Sequence, residues 1–318
     1  MKIDIVITWV DPHNKEWLEE KNYLHQRVKG RTLQYNTVAN YSSYDEIKYC
    51  LRSIYKYMPM FNHIYLVTNN SAPKWLKRTK YITVIHYRDL MPDNVPSYNS
   101  NTIEAMLYKI PDLQEYFYYF NDDFILTKPV KINDLIHSTL GRLQYPKETD
   151  ILFSSFQYYT ILQKIEEKII KMDTGVSIAR KNSIKRMNLP NTGIVSGHTP
   201  KILNKTLCRA FNKTMSHEID NLIKTPFRTN TNFTYLEAFI QYHNHKKISQ
   251  WNNQQTKIIT ILDNSFLNNI QIKIAKSTIH NYDYMALEDA RTQVKLEEEQ
   301  KFINFLDTLF PEKAPWEH

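Results

Sequence analysis

Apolar and polar positions along the first 130 residues alternate between two periods. Short runs of apolar, β-branched residues predict strands, and they occupy residues 3–8, 63–68, 81–86 and 116–120. Apolar residues at helical spacing predict helices at 44–57 and 99–110, with a short helical turn at 73–77. Runs this apolar are typical of a sheet covered on both faces, so we expect a largely parallel sheet within an α/β fold.

The second half of the chain is less regular. The pattern predicts one or two strands over residues 150–162, helices over 203–215 and 233–243, a strand over 257–262 and a long C-terminal helix over 284–309. No internal repeat or linker composition separates the two halves. We therefore expect one domain over residues 1–318 with a large insertion.

Composition and charge narrow the class of protein. With 318 residues, of which 42% are hydrophobic and 13% aromatic, the chain can bury a substantial core. Its net charge of +8 is spread along the sequence and suits an anionic partner. Nucleic acid is not the expected partner, because the sequence contains no recognised nucleic-acid module, Walker loop or GxGxxG motif.

Cysteine usage and hydropathy bear on the compartment. Cys50 and Cys208 lack the CxxC spacing of metal and redox sites, so a disulfide framework is not expected and a reducing cytoplasm is the default. The N-terminus shows no signal-peptide pattern, and no run approaches ~18 apolar residues. We expect a cytoplasmic protein whose membrane contact is peripheral.

Polar side chains follow the predicted strands. Asp11 comes after the first strand, Asn69 after the second, and Asp122 and Asp123 after the fourth. In open α/β sheets, ligands bind beyond the carboxyl ends of the strands. Two adjacent carboxylates there would suit Mg²⁺ or Mn²⁺, which prefer oxygen ligands. The alternative interpretation is a solvated turn or helix cap.

Further candidates lie in polar segments elsewhere. Glu104 follows Asn99 and Asn101 in "YNSNTIE", a helix start suited to anions or sugar hydroxyls. His198, in the loop "VSGHTP", could act as an acid or base near neutral pH, and Arg228 could clamp a phosphate. Taken singly, each could equally be a structural or surface residue; Arg228 is one of 41 cationic residues.

Several motifs follow one another along the chain: "IDIVITWVD", "EIKYCLRSI", "PSYNSNTIEAMLYKIPDL" and "YYFNDD", then "GHTPKIL" with "FRTN", then "ILDNS". In this order they resemble the Stealth family of hexose-1-phosphate transferases. The first four are similar to its first two conserved regions, "GHTPKIL" with "FRTN" to the third, and "ILDNS" to the fourth. The tail "FPEKAPWE" is similar to the family's usual ending. The resemblance covers nearly the whole chain.

The resemblance implies an activity. It is the transfer of a hexose-1-phosphate, typically N-acetylhexosamine-1-phosphate, from a UDP-sugar to a hydroxyl of a cell-surface polysaccharide or glycolipid. The reaction requires Mg²⁺ (or Mn²⁺), forms a phosphodiester and releases UMP, and it places the enzyme in the EC 2.7.8 type. The membrane contact expected for such an enzyme is at the inner face of the cell membrane.

The same resemblance refines the expected architecture. We expect a mostly parallel, Rossmann-like (GT-A-like) sheet flanked by helices, with a less regular mixed α/β insertion and a C-terminal helix. Residues 1–135 would bind the nucleotide sugar and residues 136–255 the acceptor. Residues 256–318 would add a returning strand and the last helix.

Functional residues carry over from the matching motifs. The resemblance implies a catalytic set, a donor-binding set and a metal-binding set. The catalytic set is Glu104, Asp123, His198 and Arg228; the donor set is Asp11, Arg52, Asn99, Asn101 and Asn264; the metal set is Asp122, Asp123 and Asp263. The general base stays open between His198 and Asp123.

Some positions depart from the family pattern. Asn40, Ser42 and Ser43 replace two arginines and an aspartate, and Asn69 replaces an acid, which bears on the identity of the sugar.

Two other functions stay open. One alternative is a metal-dependent glycosyltransferase, which would release UDP. The other is a non-catalytic module that binds nucleic acid or polysaccharide.

Overall fold

Strands and helices of the described part follow an α/β order. The computed structural model describes residues 1–28, 43–149, 182–190, 192–229, 231–289 and 294–318. The strands are β1 (Ile3–Thr8), β2 (Phe61–Thr68), β3 (Ile82–His86), β4 (Tyr116–Asn121), β5 (Phe124–Leu126), β6 (Leu143–Thr149), β7 (Ile194–Ser196), β8 (Lys201–Asn204), β9 (Ser249–Asn252), β10 (Thr256–Ile261) and β11 (Tyr284–Asp289). The helices are α1 (Lys15–Arg27), α2 (Glu46–Tyr57), α3 (Ser100–Met106), α4 (Ile132–Leu135), α5 (Lys205–Thr214), α6 (Ser216–Lys224), α7 (Tyr235–His245), α8 (Ser265–Thr278) and α9 (Leu296–Leu309).

The central sheet is mostly parallel, as predicted. Its strand order is β3-β2-β1-β4-β8, in which the first four strands run parallel and β8 runs antiparallel to β4. The order 3-2-1-4 is that of a Rossmann-like sheet. Residues Ile3 to Ile7 of β1 are all buried, as expected for a strand covered on both faces. The four parallel strands therefore end at the same edge.

Two smaller sheets complete the described part. One has the order β10-β11-β5, with β11 parallel to β10 and antiparallel to β5. The other has the order β7-β6-β9, with β6 antiparallel to β7 and parallel to β9. Only Asp122 and Asp123 separate β4 of the central sheet from β5. The predicted carboxylate pair therefore lies at the junction of two sheets.

Helix α2 buries the apolar face that its sequence periodicity predicts. Its apolar residues Ile47, Cys50, Leu51 and Ile54 are fully buried, which is the expected face of an amphipathic helix. The predicted start at residue 44 is two residues early, because Asp45 has a left-handed backbone conformation with φ of 62°. A residue in that conformation cannot belong to a right-handed helix.

The prediction of one long helix over residues 284–309 is wrong. Its first six residues, Tyr284–Asp289, form β11, and the helix begins at Leu296. Four consecutive residues of β11, Tyr284 to Leu287, are buried, and all six pair with β10. Pairing inside a covered sheet has therefore overridden the local helical pattern.

Two other predictions change at the level of elements, and a third is not tested. The predicted helix over 203–215 begins only at Lys205, since Lys201–Asn204 pairs with β4 as β8 and Asn204 caps the helix that follows. Residues 73–77 form turns and a bridge instead of a helical turn. The predicted strands over 150–162 lie outside the described residues.

The C-terminal segment packs against the edge of the central sheet. Trp316 is fully buried, and its ring contacts those of Tyr55, Phe61 and Tyr81 edge-on. The Lys77 amide donates a hydrogen bond of 2.8 Å to the carbonyl of Trp316. In the described ranges, no helix has the length and apolar character needed to span a lipid bilayer.

Candidate active site

Asp123 and His198 meet at the junction of the two sheets. The Nε2 atom of His198 lies 3.5 Å from Oδ2 of Asp123, and both side chains are partly exposed. The His198 ring rests edge-on against Phe124, with 4.8 Å between ring centroids. Its backbone N–H donates to Oε1 of Glu148 at 3.1 Å. Two of the predicted catalytic residues, 75 positions apart in the sequence, therefore share one site.

The charge of the imidazole depends on this contact. Burial lowers the pKa of His198, but the contact with the Asp123 carboxylate and its negative charge raise it, and Glu288 adds to the increase. The net result is a pKa above the ordinary histidine value. Asp123 therefore stabilises the imidazolium form, as expected for a carboxylate that orients a histidine base.

Glu104 is a buried carboxyl group on α3. Burial raises its pKa to about 7, although the charge of Arg228 and hydrogen bonds from Tyr119 and Ser100 act to lower it. Its Oε1 atom lies 3.5 Å from the Tyr119 hydroxyl, and its Oε2 atom has no hydrogen-bond partner among the described residues. A carboxyl group with such a pKa can exchange a proton at neutral pH.

Tyr119 connects Glu104 to the end of β4. Its hydroxyl donates to Oδ1 of Asn121 at 2.7 Å and lies 2.9 Å from the Thr8 hydroxyl. Tyr119 is fully buried within the apolar, aromatic stripe "YFYYF", a pattern typical of core residues. The sequence pattern could not show that its hydroxyl reaches the site.

Arg228 lies on the other side of Glu104. Its guanidinium donates to the Ser100 hydroxyl at 2.7 Å, and Ser100 is the first residue of α3. The positive charge of Arg228 lowers the pKa of Glu104. The structure therefore brings Glu104 and Arg228 together at the start of α3, and the Tyr119–Asn121 contacts connect them to Asp123.

Asn99 and Asn101 hold this arrangement from within the protein. Asn99 caps α3 and donates to Oδ1 of Asn232 at 3.1 Å. Oδ1 of Asn101 accepts the backbone N–H of Tyr235 at 3.0 Å. Both asparagines are buried. The structure assigns them to joining α3 to the segment after Arg228, which corrects the expectation that they contact the donor.

Asp11 lies at the carboxyl end of β1, where a donor was expected. Its backbone N–H donates to Oδ1 of Asn69, and its carbonyl accepts from Nδ2 of the same side chain, both at 2.9 Å. Only an amide can supply both contacts, since an ionised carboxylate has no donor. Asn69 is buried, so its departure from the family pattern has a structural reason.

Arg52 is not available to bind a donor. Its guanidinium forms a bidentate ion pair with Glu317, with contacts from 2.7 to 3.1 Å, and donates to the carbonyl of Phe310 at 2.7 Å. The side chains of Arg52 and Glu317 are both buried. The expected donor-binding role is therefore wrong for Arg52, because the C-terminal segment occupies its hydrogen-bonding groups.

Asp263 and Asn264 have partners outside the Asp123–His198 contact. Asp263 is 3.6 Å from Nζ of Lys295, and Asn264 caps α8 by accepting from the Leu267 amide. The metal-binding role expected of Asp263 and the donor-binding role expected of Asn264 stay predictions.

The described residues supply too few ligands to hold a divalent cation by themselves, but they could hold one together with a substrate. Across the described ranges, no three His, Cys, Asp or Glu side chains form a cluster that could hold a metal ion. However, Oδ1 of Asp123 is buried without a hydrogen-bond partner in the described part of the chain. Mg²⁺ is commonly held by one or two carboxylates together with substrate phosphates. The donor set therefore fits a cation that arrives with a phosphate-containing substrate.

Two charged residues of the site escaped the sequence analysis. Lys201 stands in the quoted motif "GHTPKIL", and its charge lowers the pKa of both Glu104 and His198. Glu288 lies on β11, in a segment predicted as helix, and its charge raises the pKa of His198. A strand assignment for residues 284–289 would have pointed to Glu288.

Comparisons of sequence find that the chain is similar to polysaccharide phosphotransferases. Residues 40–143 match the family model "Stealth protein CR2, conserved region 2". The capsular polysaccharide phosphotransferase LcbA of Neisseria meningitidis is 28% identical over 78% of this chain and 66% of its own length. The capsular polysaccharide phosphotransferase cps1A of Actinobacillus pleuropneumoniae is 29% identical over 76% and 64%. The chain thus spans about two thirds or less of the length of these relatives.

A third relative and the solved structures are more distant or match less of the chain. The exopolysaccharide phosphotransferase cps2G of Lactiplantibacillus plantarum is 37% identical over 40% of this chain and 37% of its own length. A galactosyltransferase LgtC structure with donor and acceptor sugar analogs gives a TM-score of 0.43 at 13% identity, covering 99% of both chains. The bifunctional glycosyltransferase WbbM gives 0.49 at 9% identity, covering 99% of this chain and 50% of its own.

The buried carboxyl of Glu104 predicts an unusual effect on stability. Its pKa of about 7 exceeds the ordinary 4.5, so the folded state binds more protons than the unfolded state between these values, and stability falls as pH rises through them. Glu104→Gln does not titrate. We expect this variant to be more stable than the wild type by about 3 kcal/mol at pH 8, with the difference vanishing near pH 4.

Urea denaturation of the metal-free protein at the two pH values measures this effect. Glu19→Gln, a substitution at an exposed position on α1, is the matched control and should change stability little at either pH. Equal stability of Glu104→Gln and wild type at pH 8 would contradict the raised pKa.

Proposed function

We propose that the chain is a Stealth-family enzyme, since residues 40–143 match conserved region 2 of that family, and that it transfers a hexose-1-phosphate from a nucleotide sugar to a hydroxyl of a cell-surface polysaccharide or glycolipid. The donor is a UDP-sugar, of the N-acetylhexosamine class, and UMP is the by-product. The observation that carries this proposal is the contact of 3.5 Å between His198 and Asp123. Glu104 and Arg228 add a carboxyl and a guanidinium group to the same site.

The proposed reaction exchanges one bond to phosphorus for another. The acceptor oxygen attacks the phosphorus atom that bears the sugar, and the bond from that phosphorus to the bridging oxygen of the diphosphate breaks. UMP leaves with that oxygen, and the acceptor hydroxyl loses its proton. Because the C–O bond of the sugar stays intact, the product is a phosphodiester. Catalysis of this kind depends on alignment and on neutralising charge on phosphate oxygens.

His198 is the better candidate for the base that takes the acceptor proton. Its ring is partly exposed and contacts Asp123 through Nε2, so the carboxylate stabilises the imidazolium that forms when the proton arrives. Asp123 then acts through His198. We therefore favour His198 over Asp123 as the base because of this geometry.

Arg228 and Glu104 have complementary roles in this scheme. Arg228 is fixed by its hydrogen bond to Ser100, and a guanidinium suits bidentate contact with phosphate oxygens. Glu104, with a pKa of about 7 and an Oε2 atom without a partner among the described residues, can accept or donate a hydrogen bond. We assign it to a hydroxyl group of a bound sugar.

A divalent cation, Mg²⁺ or Mn²⁺, would be held by Asp123 with its neighbour Asp122. Oδ2 of Asp123 faces His198, which leaves the buried Oδ1 atom for the cation. When bound, the cation would neutralise charge on the diphosphate. Asp11, at the carboxyl end of β1, is assigned to the nucleotide side of the donor.

The proposed division of labour follows the chain order. Residues 1–135 supply Glu104 and Asp123 and would bind the nucleotide sugar. Residues 136–255 supply His198 and Arg228 and would meet the acceptor. Residues 256–318 return β10 and β11 to the site and add the C-terminal helix.

We also propose peripheral contact with an anionic membrane at its cytoplasmic face. Helix α8 exposes Phe266, Ile270 and Ile274, which are four residues apart and share one face. The same helix carries Lys273 and Lys276 and no acidic residue. An amphipathic helix of this composition suits the interface of anionic lipids, where apolar side chains insert and lysines meet phosphates.

Asp123→Asn tests the proposed chemistry. We expect the variant to stay folded by circular dichroism and to lose about 10²- to 10³-fold in turnover, as is typical when one charged group of a transition-state site is removed. Mass spectrometry of the nucleotide released with Mg²⁺ and a panel of UDP-sugars gives the readout. The wild type should release UMP, and Asp220→Asn, a change at an exposed position on α6, should match it.

Two outcomes would contradict this proposal. Release of UDP would indicate an ordinary glycosyltransferase that breaks the sugar C–O bond. Salt-sensitive binding of polysaccharide without any turnover would indicate a non-catalytic module.

Vesicle co-sedimentation tests the membrane contact. We expect binding to vesicles that contain phosphatidylglycerol, weakening with salt, and little binding to pure phosphatidylcholine. Replacing Phe266 and Ile270 with serine should weaken binding about tenfold or more, because each apolar side chain contributes on the order of 1 to 2 kcal/mol. The control replaces Tyr23 and Leu140, which are also exposed. A self-association of the wild type that the α8 changes abolish would contradict the membrane role and indicate a second copy.

A further inference from the structure

Lys201 is a buried ammonium group beside the proposed base. It is 4% exposed and occupies the first position of β8, where it pairs with Tyr119 of β4. Its Nζ atom donates to the carbonyl oxygens of Gly197 and Thr199 and to the hydroxyl of Thr199. An ammonium has three donors and no acceptor, and these three contacts are with acceptors in one short segment of chain.

The acceptors of Lys201 flank His198 on both sides. Gly197 precedes the histidine and Thr199 follows it, so a single side chain closes the loop from residue 197 to residue 201. The distances from Nζ to the Thr199 carbonyl and hydroxyl are 2.9 and 2.7 Å. The ammonium therefore fixes the backbone immediately before and after the imidazole.

Strand β6 fixes the other side of the same loop. The Gly197 amide donates to the carbonyl of Pro146 at 2.8 Å, and the His198 amide donates to Glu148 at 3.1 Å. Glycine suits this approach, since a Cβ atom at position 197 would lie in tight contact with Oε1 of Glu148, at 3.3 Å. The loop is held between β6 and Lys201.

The cost of burying the charge indicates a function for it. An ammonium removed from water is costly unless it is fully hydrogen-bonded, and an apolar residue would fill this position at the start of β8 without that cost. The charge also reaches the rest of the site, because it lowers the pKa of Glu104. The charge of Lys201 therefore acts on both Glu104 and His198.

We infer that Lys201 is a positioning residue that holds the loop of residues 197–199 so that His198 faces Asp123. It does not touch the reacting atoms. Its effect on turnover rests on the proposed function, because it acts through His198. Its effect on the loop does not rest on that function.

Lys201→Met removes the donors and keeps an unbranched apolar stem. We expect the amides of Gly197, His198 and Thr199, each hydrogen-bonded in the structure, to exchange with solvent about tenfold faster or more. In the same variant kcat should fall about 10²-fold, the scale of a small misplacement, while KM for the UDP-sugar stays within about threefold. Lys205→Met is the matched control, since Lys205 is half-buried and donates to the Leu113 carbonyl. It should change neither quantity.

Thr199→Val provides a milder test if Lys201→Met fails to fold. It removes one acceptor of Lys201 and preserves the branched shape, so the same amides should exchange faster by a smaller factor. Unchanged exchange in both variants would overturn the inference. Faster exchange with an unchanged kcat would also overturn it, since loop order would then not matter to His198. If the wild type releases no UMP, the proposed function fails, and the exchange measurement still decides whether Lys201 holds the loop.

Discussion

The antiparallel pairing of β8 with β4 is the constraint on which the site depends. In such a pair the end of one strand lies beside the start of the other. Tyr119 pairs with Lys201, so the residues after Tyr119, which end in Asp123, run alongside the residues before Lys201, which include His198. The contact of 3.5 Å between the two catalytic candidates is a consequence of this register. A one-residue slip would reverse which face each side chain occupies.

Buried polar groups around Asp123 and His198 lower the stability of the fold relative to an apolar core. Glu104, Tyr119 and Lys201 are all buried, and burial raises the pKa of Glu104 to about 7. Hydrogen bonds offset this cost only in part, since one oxygen of Glu104 and one of Asp123 have no partner among the described residues. Unsatisfied groups concentrated in one place are typical of a site that awaits a ligand. By contrast, the Arg52–Glu317 ion pair is fully used in holding the C-terminal segment.

Local sequence predicted the parallel part of the fold well, because each of its strands is an apolar run with polar ends. Prediction from local sequence failed where pairing with a distant strand determines whether a segment is strand or helix. Tyr284–Asp289 and the first two residues of the helix predicted over 203–215 are strand residues, because β10 and β4 pair with them. The same limit applies to the site. Asp123, His198, Glu104 and Arg228 were found through motifs, and the structure shows the contact of Asp123 with His198 and the charge interaction of Glu104 with Arg228. Motifs could not reveal that Arg52 forms an ion pair with Glu317, or that Asp263 contacts Lys295. Nor could they reveal that the charges of Lys201 and Glu288 shift the pKa of His198.

The titration of His198 followed by NMR in metal-free protein tests the central pairing most directly, since it requires neither substrate nor turnover. Asp123 raises the pKa of His198 in the structure, so Asp123→Asn should lower it, while replacing the exposed Asp220 with asparagine should leave it as in the wild type. An imidazole that titrates identically with and without the Asp123 carboxylate would contradict the account.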